Sequence, residues 1–360
     1  MHTQFIPKNS STSRIEISRE NLRHNLKVLA HKAGYGVRRM AVVKANAYGH
    51  GTELILPEIS GECDWFGVAS LEEGIEVRSM GIEIPVLVFA PVKAGLLDKY
   101  REFSLTATAG SIEEVQMVNS GTPFHLEFDT GMGRLGLYEE QIPEIISILD
   151  QKNLIPSGLM THFSMADQPD SSYTKNQLKT WNRILDQLPD SWKKGLIHAA
   201  NSGGLIHYPE SRFSMVRHGI ALYGYSPDGD ESELKPVLSW KSEVVSCKFF
   251  RKGMRVSYEG AWTAEKDGWL IVIPAGYADG IPRQLSNKIE LFADGRRIKQ
   301  VGNVTMDYIM AFSDVPLVAG TEVELFGPNS MNANHWAEKS GTISYAILCG
   351  IHPKIERELV

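Results

Sequence analysis

The segment AVVKANAYGHG, residues 41–51, places a lysine where a buried strand is expected to end. Three apolar residues precede Lys44, and small residues, Tyr48 and two glycines follow it. An isolated lysine at a strand end usually extends into water. A partly buried amine is less readily charged and attacks carbonyl groups more easily. Lys44 is therefore a candidate to form a Schiff base with an aldehyde.

Two later segments have features of phosphate-binding loops. NSGG (201–204) follows one predicted strand and opens a helix, and RHGI (217–220) closes the next strand. In barrel enzymes the loops after the last two strands frequently bind phosphate through backbone N–H groups and the positive end of a short helix. NSGG alone also fits an ordinary turn. Together with Lys44, the two segments suit a phosphorylated aldehyde cofactor.

A glycine-rich segment, GMGRLG (131–136), offers an alternative. It fits G-x-G-x-x-G, follows a strand and precedes a helix, as in nicotinamide-dependent dehydrogenases. However, it follows the fifth strand instead of opening a first βαβ unit, and Arg134 stands where a dinucleotide loop needs a small residue. The dehydrogenase stays an open alternative that ranks below the lysine hypothesis.

Other common catalytic motifs do not occur. The sequence has no HExxH, P-loop or GxSxG segment. Histidines 50, 162, 198 and 218 have no spacing typical of metal ligands, and a histidine on an apolar strand is more often hydrogen-bonded structure. We therefore expect no metal.

Strand and helix patterns alternate along the part of the chain that carries these segments. Eight short apolar strands, each leading into a crossover, predict a (β/α)8 barrel, with an open doubly wound sheet as the structural alternative. Lys44 then lies at the carboxyl end of the first barrel strand, where barrel enzymes place their active sites. Ser18 is predicted to cap the helix before that strand. The predicted strands are 40–45, 63–69, 84–90, 104–109, 123–129, 155–163, 195–201 and 213–220, and predicted helices include 71–81, 111–121 and 141–152.

The pattern changes near Leu234, where consecutive strands joined by turns replace the strand–helix alternation. The tripeptide ADG (293–295) between two alternating runs predicts a hairpin. We predict a barrel domain over 14–233 and a mostly β domain over 234–360. The strand at 14–18 is a candidate to join the second domain.

Composition indicates a globular protein of 360 residues, 42% of them hydrophobic, with a net charge of −6. No basic run interleaves with aromatic residues, so nucleic acid and anionic membranes are poor candidate partners. The longest apolar run, 84–92, is too short to span a membrane, and no secretory signal is visible. Three widely separated cysteines fit reduced thiols in a cytoplasm.

Nine segments of the chain resemble the alanine racemase family. The resemblance implies a barrel followed by a β domain, a homodimer with active sites shared across its interface, and pyridoxal phosphate as cofactor. It implies an isomerase that interconverts L-alanine and D-alanine and supplies D-alanine for peptidoglycan. The segments are VVKANAYGHG (42–51), DTGMGRLG (129–136), THFSMAD (161–167), ANSGG (200–204), VRHGIALYG (216–224), VSYEGAWTA (256–264), AGYADGIPR (275–283), GNVTMDY (302–308) and SYAIL (344–348).

By the same resemblance, Lys44 holds the cofactor as an internal aldimine, and Arg217 faces the pyridine nitrogen. Because a guanidinium only donates hydrogen bonds and stays charged, that nitrogen must accept and remain unprotonated. The ring is then a weaker electron sink, which limits side reactions such as transamination. The other implied cofactor-binding residues are Tyr48, Asn201, Ser202, Gly219, Ile220 and Tyr345.

The resemblance implies two bases, one for each face of the substrate carbon. Lys44 serves one face, and Tyr258 of the partner subunit serves the other, with His162 and Arg217 behind the tyrosine. A packed aromatic in a β strand is the plain alternative for Tyr258. The residues implied to contact substrate are Arg134, which binds its carboxylate, and Tyr277, Met306 and Asp307.

Three positions depart from the family pattern. Glu127 stands where many relatives carry a carboxylated lysine, and we hypothesise that it orients Arg134 directly or through a water; a solvated strand residue is the alternative. Glu259 replaces a usual glycine, and Asn303 replaces a usual arginine near the substrate entrance. The tail HPKIERE also departs from the usual arginine-proline-arginine ending.

These departures leave the substrate range open, so a racemase of serine or another small amino acid is an alternative to alanine. A non-catalytic pyridoxal-phosphate-binding barrel is a further alternative, although such proteins lack a second β domain. A decarboxylase of the same barrel-plus-β type is the third, and the cysteine-containing catalytic loop typical of it is not found here.

Overall fold

The computed structural model describes residues 13–230 and 233–360. The strands are β1 (Arg14–Ile17), β2 (Arg38–Val42), β3 (Trp65–Val68), β4 (Val86–Pro91), β5 (Thr106–Ala109), β6 (Phe124–Glu127), β7 (Gly158–Met160), β8 (Leu196–His198), β9 (Met215–His218), β10 (Leu238–Glu243), β11 (Ser246–Phe250), β12 (Arg255–Val256), β13 (Trp262–Thr263), β14 (Gly268–Ile273), β15 (Glu290–Ala293), β16 (Arg296–Val301), β17 (Ile309–Ser313), β18 (Glu322–Phe326) and β19 (Glu356–Leu359). The helices are α1 (Arg19–Ala33), α2 (Lys44–Tyr48), α3 (Thr52–Ile59), α4 (Leu71–Ser79), α5 (Leu97–Glu102), α6 (Ile112–Met117), α7 (Ile142–Gln151), α8 (Ser172–Gln187), α9 (Ser202–His207), α10 (Ala333–Ser340) and α11 (Ser344–Cys349).

Two compact units divide the described chain. The barrel unit contains Leu22–Ala47 and Thr52–Lys235. The β unit contains the described residues up to Asn21, together with Tyr48–Gly51 and Pro236–Val360. The domain bounds 14–233 and 234–360 stay a prediction.

The barrel unit is built on one parallel sheet with the strand order β8-β7-β6-β5-β4-β3-β2-β9. Backbone hydrogen bonds from Ser214 N to Ile197 O (3.1 Å) and from Arg217 N to Ala200 O (2.9 Å) also join the two terminal strands. The sheet is therefore a nearly closed eight-stranded barrel with helices between its strands. This confirms the predicted (β/α)8 barrel and excludes the open doubly wound sheet.

Most barrel strands are buried along their length, because one face points into the barrel and the other meets a covering helix. Ser18 Oγ accepts from Asn21 N at 3.2 Å, so the predicted cap of α1 is confirmed. Side chains from several strands meet in one buried cluster, Met40, Trp65, Leu87, Met160 and Met215.

The first barrel strand, β2, ends earlier than predicted, before the candidate lysine. The strand predicted over 40–45 ends at Val42, so Lys44 is not part of it and instead begins α2. Ala45, Asn46, Ala47 and Tyr48 have φ between 51° and 54°, the left-handed region. The sequence carries no glycine at these four positions, so it gave no signal for a left-handed turn.

A nine-stranded sheet forms most of the β unit, in the order β11-β14-β17-β16-β15-β18-β10-β1-β19. β1 pairs antiparallel with β10 and parallel with β19. The predicted hairpin at 293–295 is confirmed: Asp294 (φ 48°) and Gly295 (φ 72°) connect β15 to β16, and a type I′ turn requires positive φ at both positions. In the part of the chain that the structure describes, no helix is long and apolar enough to cross a membrane.

Candidate active site

The turn after Lys44 is strained and firmly held within the barrel unit. Lys44 is half-buried. Each non-glycine residue in the left-handed region costs roughly 1–2 kcal/mol, so this backbone persists only because its surroundings fix it. Asn46 Oδ1 accepts from Thr52 N at 2.8 Å, and Glu73 Oε1 accepts from Ala45 N at 2.8 Å. The second oxygen of Glu73 accepts from Ala69 N at 2.6 Å, which ties the turn to the end of β3.

Tyr48 and Tyr345 lie together in the β unit, with ring centroids 6.0 Å apart. Burial, followed by the nearby Tyr345 and Cys349, raises the pKa of Tyr48 well above its usual range, so its hydroxyl stays protonated and can donate. Gly49 follows with φ 81°, and a Cβ built on it would lie 2.2 Å from Leu348 O. Only glycine fits this close approach of two backbones.

Arg217 lies at the end of β9 and is 3% exposed. Its Nη1 donates to His198 Nδ1 (2.7 Å) and to His198 O (3.0 Å). Its Nη2 donates to Thr161 O (2.7 Å) and Ala199 O (3.0 Å), and lies 3.3 Å from His162 Nδ1. Burial lowers the pKa of Arg217 to about 10, so the side chain stays charged at neutral pH. Within the described chain, no hydrogen bond uses its Nε.

A line of buried histidines continues from Arg217. Since a guanidinium cannot accept, His198 Nδ1 accepts from it and the ring proton stands on Nε2, which donates to His125 Nδ1 at 2.9 Å. Burial first, and the charge of Arg217 second, lower the pKa of His125 to about 3 and that of His198 well below 6.5. Burial and then Arg217, Arg134 and Lys44 likewise lower the pKa of His162. All three imidazoles are therefore neutral at pH 7.

The two predicted phosphate-binding segments meet at Ser202. Ser202 begins α9, and its Oγ accepts from Gly219 N at 3.0 Å and from Ala221 N at 3.3 Å. Asn201 caps the helix by accepting from Gly204 N at 2.9 Å. The residues 201–204 and 217–220 are thus brought together at one end of the barrel.

Asp129 organises the loop that carries Arg134. Its Oδ1 accepts from Gly131 N and Met132 N at 2.8 Å each, and its Oδ2 accepts from Gly133 N at 2.9 Å. The loop leads to an exposed Arg134 and then to a 3₁₀ turn at 139–141. The glycines therefore do not open an α-helix, as the dinucleotide-binding hypothesis requires.

Glu127 is 5% exposed at the end of β6, which excludes the solvated-residue alternative. Burial raises the pKa of its carboxyl, and the charges of Arg217 and Arg134 oppose that rise. Among the described residues no ion pair within 4.0 Å joins Glu127 to Arg134. The direct contact we hypothesised is thus not formed here, and orientation of Arg134 through a bridging water stays a prediction.

The remaining predicted site residues lie in the β unit on exposed loops. Tyr258 is 70% exposed, Met306 is 52% and Tyr277 is 44%. Asp307, beside Met306, is also exposed. Tyr277 N donates to Thr305 O at 2.9 Å, which places the two loops side by side.

Sequence reasoning missed two residues, His125 and Gln177. His125 lies two residues before Glu127 in an apolar strand, and this inward-facing position was the available signal. Gln177 gives no sequence signal, since it stands in an ordinary amphipathic helix.

Comparison with known proteins gives a consistent result over nearly the whole chain. The family model described as alanine racemase, N-terminal domain, matches residues 17–227, and the one described as alanine racemase, C-terminal domain, matches 237–359. The alanine racemase of Symbiobacterium thermophilum is 36% identical over 95% of each chain.

Solved structures agree with these matches. The alanine racemase of Clostridium difficile 630 superimposes with a TM-score of 0.90 at 31% identity, covering 98% of this chain and 97% of that one. The alanine racemase of E. faecalis gives 0.91 at 29%, covering 98% and 99%. These names give no support to the serine alternative, and the match to a second domain disfavours a barrel-only binding protein. The chain belongs to the alanine racemase family.

Proposed function

We propose that this protein interconverts L-alanine and D-alanine, with pyridoxal phosphate as its cofactor and Lys44 and Tyr258 as its two bases. The names of the relatives and of the matching structures support the substrate and the reaction. The observation that carries the cofactor assignment concerns the hydrogen bonds of Arg217: in the described chain its two terminal nitrogens form them and its Nε does not.

Arg217 fits the pyridine nitrogen of this cofactor. Both terminal nitrogens of its guanidinium are engaged with Thr161, His198 and Ala199, whereas no hydrogen bond in the described chain uses Nε. Nε can only donate, so its partner must accept. An unprotonated pyridine nitrogen is such an acceptor.

The other donors also suit this cofactor. Lys44 would hold its aldehyde carbon. Ser202 and the first turn of α9 supply N–H groups without intrahelical acceptors for the phosphate, beside Gly219 and Ile220. From the β unit, Tyr48 offers a protonated phenol, and we assign Tyr345 next to it to the same phosphate.

When bound, pyridoxal phosphate withdraws electrons from the substrate Cα and makes its proton removable. Inversion then needs a proton taken from one face and another delivered to the opposite face, so one fixed base does not suffice. We assign Lys44 Nζ to one face and Tyr258 Oη of the partner subunit to the other. The two atoms exchange roles between the forward and reverse directions.

His162 and Arg217 support the tyrosine as a base. Because Arg217 Nη2 donates toward His162 Nδ1, the neutral imidazole carries its proton on Nε2. That N–H can donate to a phenolate oxygen, and the charge of Arg217 behind it favours the anionic form. Arg134 would bind the substrate carboxylate.

We also propose that the protein is a cytoplasmic homodimer that supplies D-alanine for peptidoglycan. The exposure of Tyr258, Tyr277 and Met306 supports a covering partner, since large apolar or aromatic side chains grouped on a surface commonly mark an interface. Cys63, Cys247 and Cys349 form no disulfide in the described chain, which fits a reducing compartment.

A coupled assay for D-alanine formed from L-alanine tests the function, run on the wild type, Lys44→Ala and Tyr258→Phe. We expect the wild type to work in both directions and Lys44→Ala to lose at least about a thousandfold in rate, since it loses a base and a cofactor anchor. Lys44→Ala should also lose the yellow absorbance of bound cofactor. Lys27→Ala, which changes an exposed lysine, and Tyr35→Phe are the matched controls and should behave as wild type.

Each part of the proposal can fail separately. A wild type that leaves alanine unchanged contradicts the reaction. A Lys44→Ala variant that stays yellow contradicts the cofactor assignment. Isotope exchange at Cα from each enantiomer assigns the faces: Tyr258→Phe should block proton exchange from one enantiomer far more than from the other.

A further inference from the structure

One buried amide on α8 connects the loops that follow two neighbouring barrel strands. Gln177 is 2% exposed. Its Oε1 accepts from Ser164 N at 3.0 Å and from Ser164 Oγ at 3.2 Å. Its Nε2 donates to His162 O at 3.1 Å and to Thr130 Oγ1 at 3.3 Å. Both N–H donors and the carbonyl oxygen of the amide are therefore used, and its partners belong to the loops after β6 and β7.

A second residue of the same helix face acts on the same loop. Tyr173 lies four residues before Gln177, so the two side chains are neighbours on α8. Tyr173 Oη donates to Gly131 O at 2.7 Å. A Cβ on Gly131 would lie 2.9 Å from that hydroxyl and 3.4 Å from Gln177 Cγ, and its φ is 132°. The loop is thus shaped around these two side chains.

The residues on these loops are the ones that the proposed function uses. Arg134 follows Gly131 by three positions, and His162 is bonded through its own carbonyl to Gln177. Thr130 and Thr161 share a further hydrogen bond between their hydroxyls at 2.8 Å. A shift of the amide would therefore move the carboxylate-binding arginine and the imidazole together.

We propose that Gln177, assisted by Tyr173, is a positioning residue that sets Arg134 and His162 relative to each other for substrate binding and proton transfer. The inference rests on the proposed function of that site. The Gln177 amide donates to both loops and accepts from the loop after β7, and a neutral amide is the side-chain group that combines two N–H donors with a carbonyl acceptor. Misplacing reacting groups by about 1 Å costs as much as 10²-fold in rate even when the changed residue is remote from them.

Three variants separate the two connections. Tyr173→Phe removes only the bond to Gly131 and should raise KM for L-alanine about threefold to tenfold with little change in kcat, since a hydrogen bond contributes about 1 kcal/mol. Gln177→Glu keeps the acceptor for Ser164 but sets an oxygen against His162 O, and should lower kcat more than it raises KM. Gln177→Leu removes both the acceptor for Ser164 and the donors to His162 O and Thr130 Oγ1, and should lower kcat/KM by roughly 10- to 100-fold.

Thr174→Val is the matched control on the same helix. Thr174 is fully buried and its Oγ1 has no partner in the described chain, so the change keeps shape and removes no bond. Cofactor affinity of each apoprotein and its thermal midpoint are measured beside the kinetics. We expect cofactor affinity close to wild type in Tyr173→Phe and Gln177→Glu.

The split between KM and kcat decides the outcome. Wild-type constants in both Tyr173→Phe and Gln177→Glu would overturn the proposal. Equal losses in these variants and in Thr174→Val would also overturn it, because the effect would then be general loss of folding. A wild-type protein that does not racemise alanine refutes the proposed function instead, and that result is read before any variant.

Discussion

Lys44 and Tyr258 both stand beside backbone that L-residues rarely adopt. After Lys44, four non-glycine residues have φ near 54°. Around Tyr258, Ser257 has φ 69° with ψ 177° and Glu259 has φ 62°. Such conformations cost of order 1–3 kcal/mol each and cluster at functional sites. The two proposed bases therefore share a strained setting.

The two segments differ in what supports them. The turn after Lys44 is bonded to side chains on both sides: Asn46 to Thr52, and Glu73 to Ala45. Farther along, Arg357 Nε donates to Gly49 O at 2.8 Å. At the tyrosine, Asn303 Nδ2 donates to Tyr258 O (3.1 Å), and Asn303 N donates to Ser257 Oγ (3.0 Å). Tyr258 itself stays largely exposed.

This contrast indicates two ways to place a base. The chain holds the turn after Lys44 with hydrogen bonds from its own side chains, and Lys44 itself is half-buried. It fixes the backbone at Tyr258 but leaves the ring uncovered, which suits the proposed role of this tyrosine in a partner subunit's site. Asn303 also gains a role here: it replaces an expected arginine and braces the strained turn.

Mixing two inactive variants tests the contrast most strongly. If Tyr258 acts in the partner's site, a mixed dimer of Lys44→Ala and Tyr258→Phe contains one site with both native bases. Random exchange should restore about a quarter of wild-type activity, because about half of the dimers are mixed and each has one complete site out of two. The measurement is racemase activity after subunit exchange verified by native mass spectrometry. No recovery would place both bases in one chain and contradict the proposed role of Tyr258 in the partner subunit's site.

The close backbone packing between Gly49 and Leu348 within the β unit is tested by Gly49→Ala. The added methyl would meet Leu348 O and force an alanine into φ 81°, so unfolding free energy should fall by about 3 kcal/mol or more. Urea unfolding measures the change. Gly34→Ala is the control, since Gly34 has similar φ (87°) but open space around it, and should lose only roughly 1–2 kcal/mol. Equal losses of unfolding free energy in the two variants would mean that the contact with Leu348 O contributes nothing to the destabilisation.

The sequence alone predicts some of these structural features and not others. Eight apolar runs predicted the eight barrel strands, because burial on both faces selects continuous apolar residues. The turn residues at 293–295 also predicted structure correctly. These features depend on local residue types.

Features that depend on distant partners could not be predicted. Ala45 and Ala47 have no preference for positive φ, so only tertiary contacts such as Glu73 impose the left-handed turn. His125 and His198 are 73 positions apart, and Gln177 lies 47 positions from Thr130. Their roles exist only once the barrel has brought the strands together.

The unfolding free energy should also depend on pH through the buried His218 of the barrel unit, and His218→Phe tests this. His218 is fully buried, and burial, then Arg39, lower its pKa to about 4. Between about pH 6.5 and 4 the unfolded chain binds a proton that the folded chain does not, so stability falls as pH falls. From pH 7 to 5 the wild type should therefore lose about 2 kcal/mol more than His218→Phe.

Urea unfolding at both pH values measures that difference. His31→Gln, which changes an exposed histidine, is the control and should follow the wild type. A variant as acid-sensitive as the wild type would show that His218 is not the group responsible.

A smaller effect is expected from Glu127→Gln, which removes a buried charge near Arg134 on the barrel side. Since the two interact through space, loss of the carboxylate should weaken substrate binding by about 1 kcal/mol, raising KM for alanine threefold to tenfold. Steady-state kinetics measure it, with Glu113→Gln on an exposed surface as the control. Unchanged constants would remove Glu127 from the site.

Glu259→Gly should produce the smallest effect, and it changes the turn beside the exposed Tyr258. Glycine adopts φ 62° without the Cβ penalty, which relieves roughly 1–2 kcal/mol, but it also makes the unfolded chain more flexible by roughly 0.5–1 kcal/mol. A net gain of up to about 1 kcal/mol in unfolding free energy is expected, with the bond from Asn303 to Tyr258 O retained. Glu265→Gly, at a residue without positive φ, should show only the loss. If Glu259→Gly is destabilised as much as Glu265→Gly, the turn at Tyr258 stores no strain. The segments of the two proposed bases would then differ in backbone strain as well as in burial.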